Sequence, residues 1–223
     1  MRPLINPPEP TVIYPDRDGK PMSDNTLQFR WIVTCEGGLE AVFRDDPNVF
    51  VAGDLLWYPV KGKPKIRKAP NAMVVFGRPK GDRGSYKQWE EGGIAPQVVF
   101  EVLSPGNRPA EMERKFRFYQ RYGVEEYYIY DPDHGDLAGW LRVGRILDQV
   151  PSMSGFESPR LKIRFQPGDG PDNLKILGPD GKPFATYLEV IAQREVERRR
   201  ADDERQRADR LAARLRELGV EPD

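Results

Sequence analysis

Between residues 98 and 130 the alternation of apolar and polar positions is at its most regular. Residues 98–103, Val-Val-Phe-Glu-Val-Leu, form a nearly continuous apolar run, as a buried strand requires. Pro109–Tyr122 then places Met112, Phe116 and Tyr119 on one side of a helix, Gly123 supplies a C-cap, and residues 127–130 form a second apolar run. A strand, a helix and a strand at this spacing predict parallel strands joined by a right-handed crossover, and hence an α/β core.

Upstream, Ser23 or Asp24 is placed to cap a helix in which Leu27, Phe29, Ile32, Val33, Leu39, Val42 and Phe43 recur at roughly helical spacing. Gly37 and Gly38 lie in its middle and Pro47 ends it. Residues 49–51, 55–58 and 73–76 read as neighbouring strands of one sheet, with a basic turn at 61–68. Residues 80–93 mix glycine and charge with Tyr86 and Trp89 and read as a surface excursion. Past 137, short runs at 140–143, 161–165 and 174–177 predict a β-rich annex. The expected organisation is an extended proline-rich arm over 1–22, one α/β domain with its annex over 23–184, and a long charged C-terminal helix over 185–223.

That helix has no proline or glycine between 189 and 217, which at ~1.5 Å per residue gives a length on the order of 45 Å. Its seam is thin: Ala201, Ala208 and Leu215 share one heptad position, Glu204, Leu211 and Leu218 another. Pairing with a second copy or a partner helix as a coiled coil, and a solitary solvated helix, both stand.

Charge and composition narrow the function. Lysine plus arginine (35) balance aspartate plus glutamate (35), so a nucleic-acid partner must be met by a local patch rather than a global field. One cysteine, Cys35, and one histidine, His134, exclude a disulfide framework and a Cys/His zinc cluster. A metal would have to be held by oxygen. The N-terminus shows no basic-then-apolar leader, and no apolar run approaches the ~20 residues that a membrane span requires. A cytoplasmic protein with no membrane partner is expected.

Glu101 is the residue with most chemical content, because it is a carboxylate in the middle of an apolar strand. Burying it unpaired would cost several kcal/mol or more, so it must be paired, protonated or bound to a cation. A structural ion pair and a metal ligand are both consistent with the pattern. Lys115, one helical turn from Met112 and Tyr119, is placed at the border of the helix face that packs on the sheet and can reach that end of the strand. Glu111, four residues earlier, is placed for an exposed pair with Lys115.

The stretch Phe100-Glu101-Val102-Leu103-Ser104-Pro105, with Lys115, Tyr119, Gly123-Val124-Glu125-Glu126-Tyr127 and Tyr130-Asp131-Pro132, resembles the Uma family of endonucleases. These belong to the restriction-endonuclease-like superfamily with the PD-(D/E)XK signature. The likeness runs over about residues 27–177 and includes Val51-Ala52-Gly53-Asp54-Leu55-Leu56-Trp57-Tyr58. It implies a restriction-endonuclease-like mixed β-sheet flanked by helices, and a metal-dependent endonuclease acting on nucleic acid, DNA more than RNA. It assigns the strand glutamate to Glu101 and the lysine, carried in this family on the following helix, to Lys115.

The third catalytic position implied by the resemblance is an aspartate after proline, and here that step is Pro70-Asn71. A second proline–acid step is Pro96-Gln97. An asparagine carbonyl offers a cation an oxygen without the negative charge that makes a hard-cation site tight. The ligands implied for Mg²⁺ or Mn²⁺ are Glu101, Asn71 and the Val102 carbonyl, with Asp54, or Glu90 and Glu91, as sources of the missing charge. Such a metal polarises a phosphodiester and activates water, while Lys115 stabilises charge on the phosphate. Asn71 also sustains a second expectation: an inactive nuclease-fold module that binds nucleic acid or protein and assembles through its tail.

Lys61, Lys63, Lys65, Arg67 and Lys68 place five positive charges within eight residues, and Arg78, Lys80, Arg83 and Lys87 form a second set. Either set grips a phosphate backbone or covers a solvated turn. Trp57, Tyr58, Tyr86 and Trp89 stack on bases or fill a core. His134 reads as a surface turn residue.

Overall fold

The computed structural model describes residues 12–17, 19 and 21–217. Its contacts divide the chain into two units, Met1–Phe184 and Ala185–Asp223. In chain order the first unit contains α1 (Thr26–Val42), β1 (Val49–Gly53), β2 (Trp57–Tyr58), β3 (Ala72–Phe76), β4 (Tyr86–Lys87) and β5 (Val98–Val102). There follow α2 (Pro109–Tyr122), β6 (Glu126–Asp131), β7 (Asp136–Val143), β8 (Ile146–Gln149), β9 (Arg164–Gln166) and β10 (Lys175–Leu177). A six-stranded sheet runs in the order β1-β3-β5-β6-β7-β8. Within this sheet only β5 and β6 pair in parallel, across the α2 crossover; the other neighbours pair antiparallel. This is the mixed α/β fold class expected.

Side chains alternate across the sheet. Val98, Phe100, Val102, Tyr128 and Tyr130 face a layer made of α1 and the β9–β10 hairpin, where Trp31, Ile32, Leu39, Phe165 and Ile176 close the core. Val99, Met73, Val75 and Tyr127 face the opposite layer, with Tyr119 and Phe116 of α2, Trp57 of β2 and Tyr86 of β4. By the same alternation Glu101 shares the α2 face with Val99. Helix α2 begins with Pro109 in its first turn and stops at Gly123, which adopts the left-handed conformation (φ 97°) that a C-cap needs.

Three expectations about local structure are corrected. Residues 55–58 do not lie beside 49–51 and 73–76 in one sheet: β2 pairs in parallel with β4 in a separate two-stranded sheet. Asp54, at φ 48°, turns the chain out of the main sheet while its N–H donates to the Pro70 carbonyl at 3.1 Å. Residues 80–93 are not a mere surface excursion either, because Tyr86 is fully buried and donates its hydroxyl to the Ile94 carbonyl at 2.7 Å. Within the expected annex, β7 and β8 extend the main sheet, and only β9 and β10 form a hairpin apart.

Helix α1 also differs in detail. Asn25, rather than Ser23 or Asp24, caps it, accepting the Gln28 N–H at 2.7 Å. Its buried face is Gln28, Trp31, Ile32, Thr34, Cys35 and Leu39, whereas Phe29 and Val33 are exposed. It ends at Val42, short of Pro47. Gly38 is required by packing: a Cβ there would lie 2.1 Å from the Phe184 ring.

The second unit holds α3 (Tyr187–Glu217). Thr186 and Glu189 form a reciprocal capping box, with Glu189 accepting the Thr186 N–H at 2.7 Å and Thr186 Oγ1 accepting the Glu189 N–H at 3.3 Å. Tyr187, Leu188, Ile191 and Leu211 are exposed on it. Of the expected seam, Leu218 and the Leu215 side chain lie outside the described residues, as do residues 1–11, 18 and 20 of the expected arm. Among the described residues no helix is long and apolar enough to cross a membrane.

Candidate active site

Glu101, at the C-terminal end of β5, is only 2% exposed. Its carboxylate has two partners, both from α2: Lys115 Nζ stands 2.7 Å from Oε2, and the Tyr119 hydroxyl donates to Oε1 at 2.5 Å. Lys115 and Tyr119 are one turn apart on the helix, so a single face delivers both. Burial alone would push the Lys115 ammonium down, but the Glu101 carboxylate, aided by Glu111 and Asp54, holds it above its ordinary value. Burial, with Glu101 beside it, pushes the Tyr119 hydroxyl well up, so it stays a proton donor. The hydroxyl of Tyr127, from β6, is also buried near Glu101 and, among the described residues, has no hydrogen-bond partner.

The next residue along the strand, Val102, is gripped at both of its backbone polar groups. Asn71 Oδ1 accepts the Val102 N–H at 2.8 Å, and Gln28 Nε2 donates to the Val102 carbonyl at 2.8 Å. Gln28 in turn accepts the Asp24 N–H through Oε1 at 2.8 Å. This fixes which way the Asn71 amide points. Its oxygen accepts the backbone N–H, and the other end of the amide is an NH₂, a donor. An asparagine at this position brings a cation no negative charge. Among the described residues, moreover, no three His, Cys, Asp or Glu side chains gather in a group able to hold a metal. As they stand, these groups do not fit a tightly held divalent cation.

Above them lies a cleft of about 660 Å³. Asn71, Lys115, Glu111 and Asp54 line it together with Lys65, Arg67 and Lys68, and the chain's N-terminal segment contributes Pro21, Met22, Ser23 and Asp24. The basic segment is thus split. A backbone exchange between Trp57 and Lys68, at 2.8 and 3.2 Å, draws its second half to the cleft, while Lys61 and Lys63 are exposed outside the lining.

Other sequence candidates fall elsewhere. Glu91 pairs with Arg83 at 2.7 Å and Glu90 with Lys87 at 3.6 Å, while Lys80 pairs with Glu40 at 2.8 Å. Arg83 also covers the Phe50 ring at 3.9 Å, so that guanidinium serves packing. Gln97 lies at the opposite end of β5, accepting the Phe76 N–H at 2.8 Å. His134 is exposed, its Nδ1 2.9 Å from Asp131.

Sequence reasoning passed over Tyr119 and Gln28 as polar partners. Tyr119 had a usable signal, four residues beyond Lys115. Gln28 had only a weak one, an amide among the apolar positions of α1.

Residues 24–164 match the family Uma2, described as "Putative restriction endonuclease". A crystal structure of a "putative nuclease belonging to DUF820" from Anabaena variabilis ATCC 29413 is similar at 14% identity and a TM-score of 0.45. That likeness covers 63% of this chain and 74% of that one. No curated protein matches.

Proposed function

The chain belongs to the Uma2 family of restriction-endonuclease-like proteins, and from that membership we propose that it binds nucleic acid, DNA before RNA, with Mg²⁺- or Mn²⁺-dependent phosphodiester hydrolysis crippled at Asn71. The family generally uses divalent metal ions and its description names restriction enzymes, which act on DNA. The observation that carries the reading is the Asn71 Oδ1 bond to the Val102 N–H: the only oxygen of this side chain already serves the backbone, and the amide has no second oxygen and no charge to offer a cation. An aspartate there could accept the same N–H with one oxygen and keep the other, with its charge, for a metal.

Binding does not need that charge. Lys65, Arg67 and Lys68 on one wall, and Lys115 at the floor with N–H donors beyond the one given to Glu101, suit the phosphates of a strand lying in the cleft. The exposed Tyr187, Leu188 and Ile191 of α3 suit assembly with a second copy or a partner helix.

The test compares the natural protein, Asn71→Asp and Asn71→Asp/Glu101→Gln on plasmid DNA, with and without Mg²⁺ or Mn²⁺. The natural protein should bind DNA in a salt-sensitive way and cut it poorly. Asn71→Asp should cut when metal is present, and the added Glu101→Gln should abolish the cutting. Metal-dependent cutting by the natural protein as fast as by Asn71→Asp overturns the crippled site, and absence of DNA binding at low salt overturns the nucleic-acid reading.

A further inference from the structure

Beside the cleft lies an aromatic surface that the chain covers with its own N-terminal segment. The Tyr14 ring meets Trp89 at 4.9 Å between centroids, with the planes tilted by 50°, and Tyr58 edge-on at 5.3 Å. Its hydroxyl accepts the Gly62 N–H in the basic turn, the Pro15 carbonyl accepts the Tyr58 hydroxyl at 2.5 Å, and Asp16 accepts the Ser85 hydroxyl at 2.9 Å. Tyr58 is fully buried under this strap and Trp89 half-buried. The covered rings and the cleft share a residue: Arg67 lines the cleft and holds its guanidinium 5.9 Å from the centre of the Tyr58 ring.

Resting on the nucleic-acid reading above, we infer that Trp89 offers a stacking face, walled by Tyr58, to a base of single-stranded nucleic acid, and that Tyr14 occupies the place of that base. Three features support this. Aromatic faces bind bases of any identity by stacking, and the useful ones flank a track of positive charge that holds the backbone. Arg67 and Lys68 provide that track within reach of Tyr58. The strap is held by a few side-chain hydrogen bonds and ring contacts rather than by insertion into the core, the kind of contact that opens locally without unfolding the domain. A strand whose phosphates lie along Arg67 and Lys68 would place its neighbouring base where the Tyr14 ring sits. Double-stranded DNA, its bases already stacked, would leave the strap closed.

The experiment uses the full chain and a fluorescent oligothymidylate at low salt, read by anisotropy, for the natural protein, Tyr14→Ala, Trp89→Ala and Lys68→Glu. Removing the competitor should tighten binding several-fold in Tyr14→Ala, since apparent affinity scales with the uncovered fraction. Loss of the stacking face should weaken it on the order of fivefold or more in Trp89→Ala. In the natural protein, amide exchange over residues 12–17 should quicken when the oligonucleotide is added, a readout independent of any variant's folding. Binding that needs Lys68 but is equal in Tyr14→Ala and the natural protein, with exchange over 12–17 unchanged or slower, overturns the inference and leaves the nucleic-acid reading standing. No binding by any of the four proteins overturns both.

Discussion

Replacing Lys115 by methionine removes the cation from a carboxylate that water barely reaches. Glu101 is 2% exposed, the Lys115 side chain 14%, and their charges are 2.7 Å apart. Breaking a buried pair from one side typically costs about 3–5 kcal/mol, because the remaining charge is left without compensation. Tyr119 still donates to Glu101 and the cleft admits some water, so the loss should fall at the low end, about 3 kcal/mol. In a domain of this size each kcal/mol moves Tm by ~2–4 °C, so Lys115→Met should melt roughly 6–12 °C lower. Glu101→Gln/Lys115→Met, which removes both charges, should recover much of that, with a coupling of about 1–3 kcal/mol between the sites. Urea unfolding of the natural protein, Lys115→Met, Glu101→Gln and the double variant at pH 7 measures it. The sign of the pH dependence follows from Lys115, whose folded value lies above its ordinary 10.5. Its contribution is complete below 10.5 and is lost as pH rises through the folded value, so the deficit of Lys115→Met should shrink in alkali. A single variant within ~0.5 kcal/mol of the natural protein, or strictly additive effects, would refute the buried-pair reasoning.

The two tyrosines beside Glu101 should separate cleanly on losing their hydroxyls. Tyr119→Phe removes a donor to a carboxylate and should destabilise by about 1.5–3 kcal/mol, whereas Tyr127→Phe deletes a hydroxyl with no hydrogen-bond partner among the described residues and should be neutral or stabilising in the same urea assay. The adjacent glycines of α1 should also diverge in Tm. Gly37 faces open space, so Gly37→Ala gains up to ~1 kcal/mol of helix propensity, while Gly38→Ala drives a methyl into the Phe184 ring and lowers Tm. Glu126 is buried and accepts from Tyr128, Ser158 and the Arg160 N–H; burial pushes its carboxyl up, and those hydrogen bonds offset part of the shift. A raised acid favours folding at low pH and loses that contribution as pH rises through its folded value. The stability of Glu126→Gln relative to the natural protein should therefore improve from pH 4 to 7, and carboxyl NMR should show Glu126 titrating above its ordinary value.

The sequence was most readable where partners are near in the chain. The strand at 98–103, the helix Pro109–Tyr122 and the strand at 127–130 each carry their own periodicity and punctuation, and Glu101 and Lys115 belong to that one unit. What escaped was set by distance or by a single backbone angle. The apolar pattern of 55–58 is the same whether the segment continues the main sheet or leaves it, and the left-handed turn at Asp54 decides. Gln28 looks like a lapse in an amphipathic helix until its partner, the Val102 carbonyl, is known. That Asn71 lacks a carboxylate's charge was legible; that it turns its oxygen toward the Val102 N–H was not. Equally, five charges clustered in sequence do not predict that a turn sends Lys61 and Lys63 away from Lys65, Arg67 and Lys68.

The contacts made by Glu101 and Val102 also carry a timetable. Lys115 and Glu101 are 14 residues apart, Tyr119 and Glu101 18, Asn71 and Val102 31, and Gln28 and Val102 74. Chain-closure entropy rises by ~0.6 kcal/mol with each doubling of loop length, and contacts between distant residues slow folding. The charged pair can therefore assemble with the crossover that carries it, while the amide grip on the backbone is completed only when α1 docks. Helix α1 precedes β5 and α2 in the chain, yet on closure entropy alone its Gln28 is the costliest of the four partners to bring in.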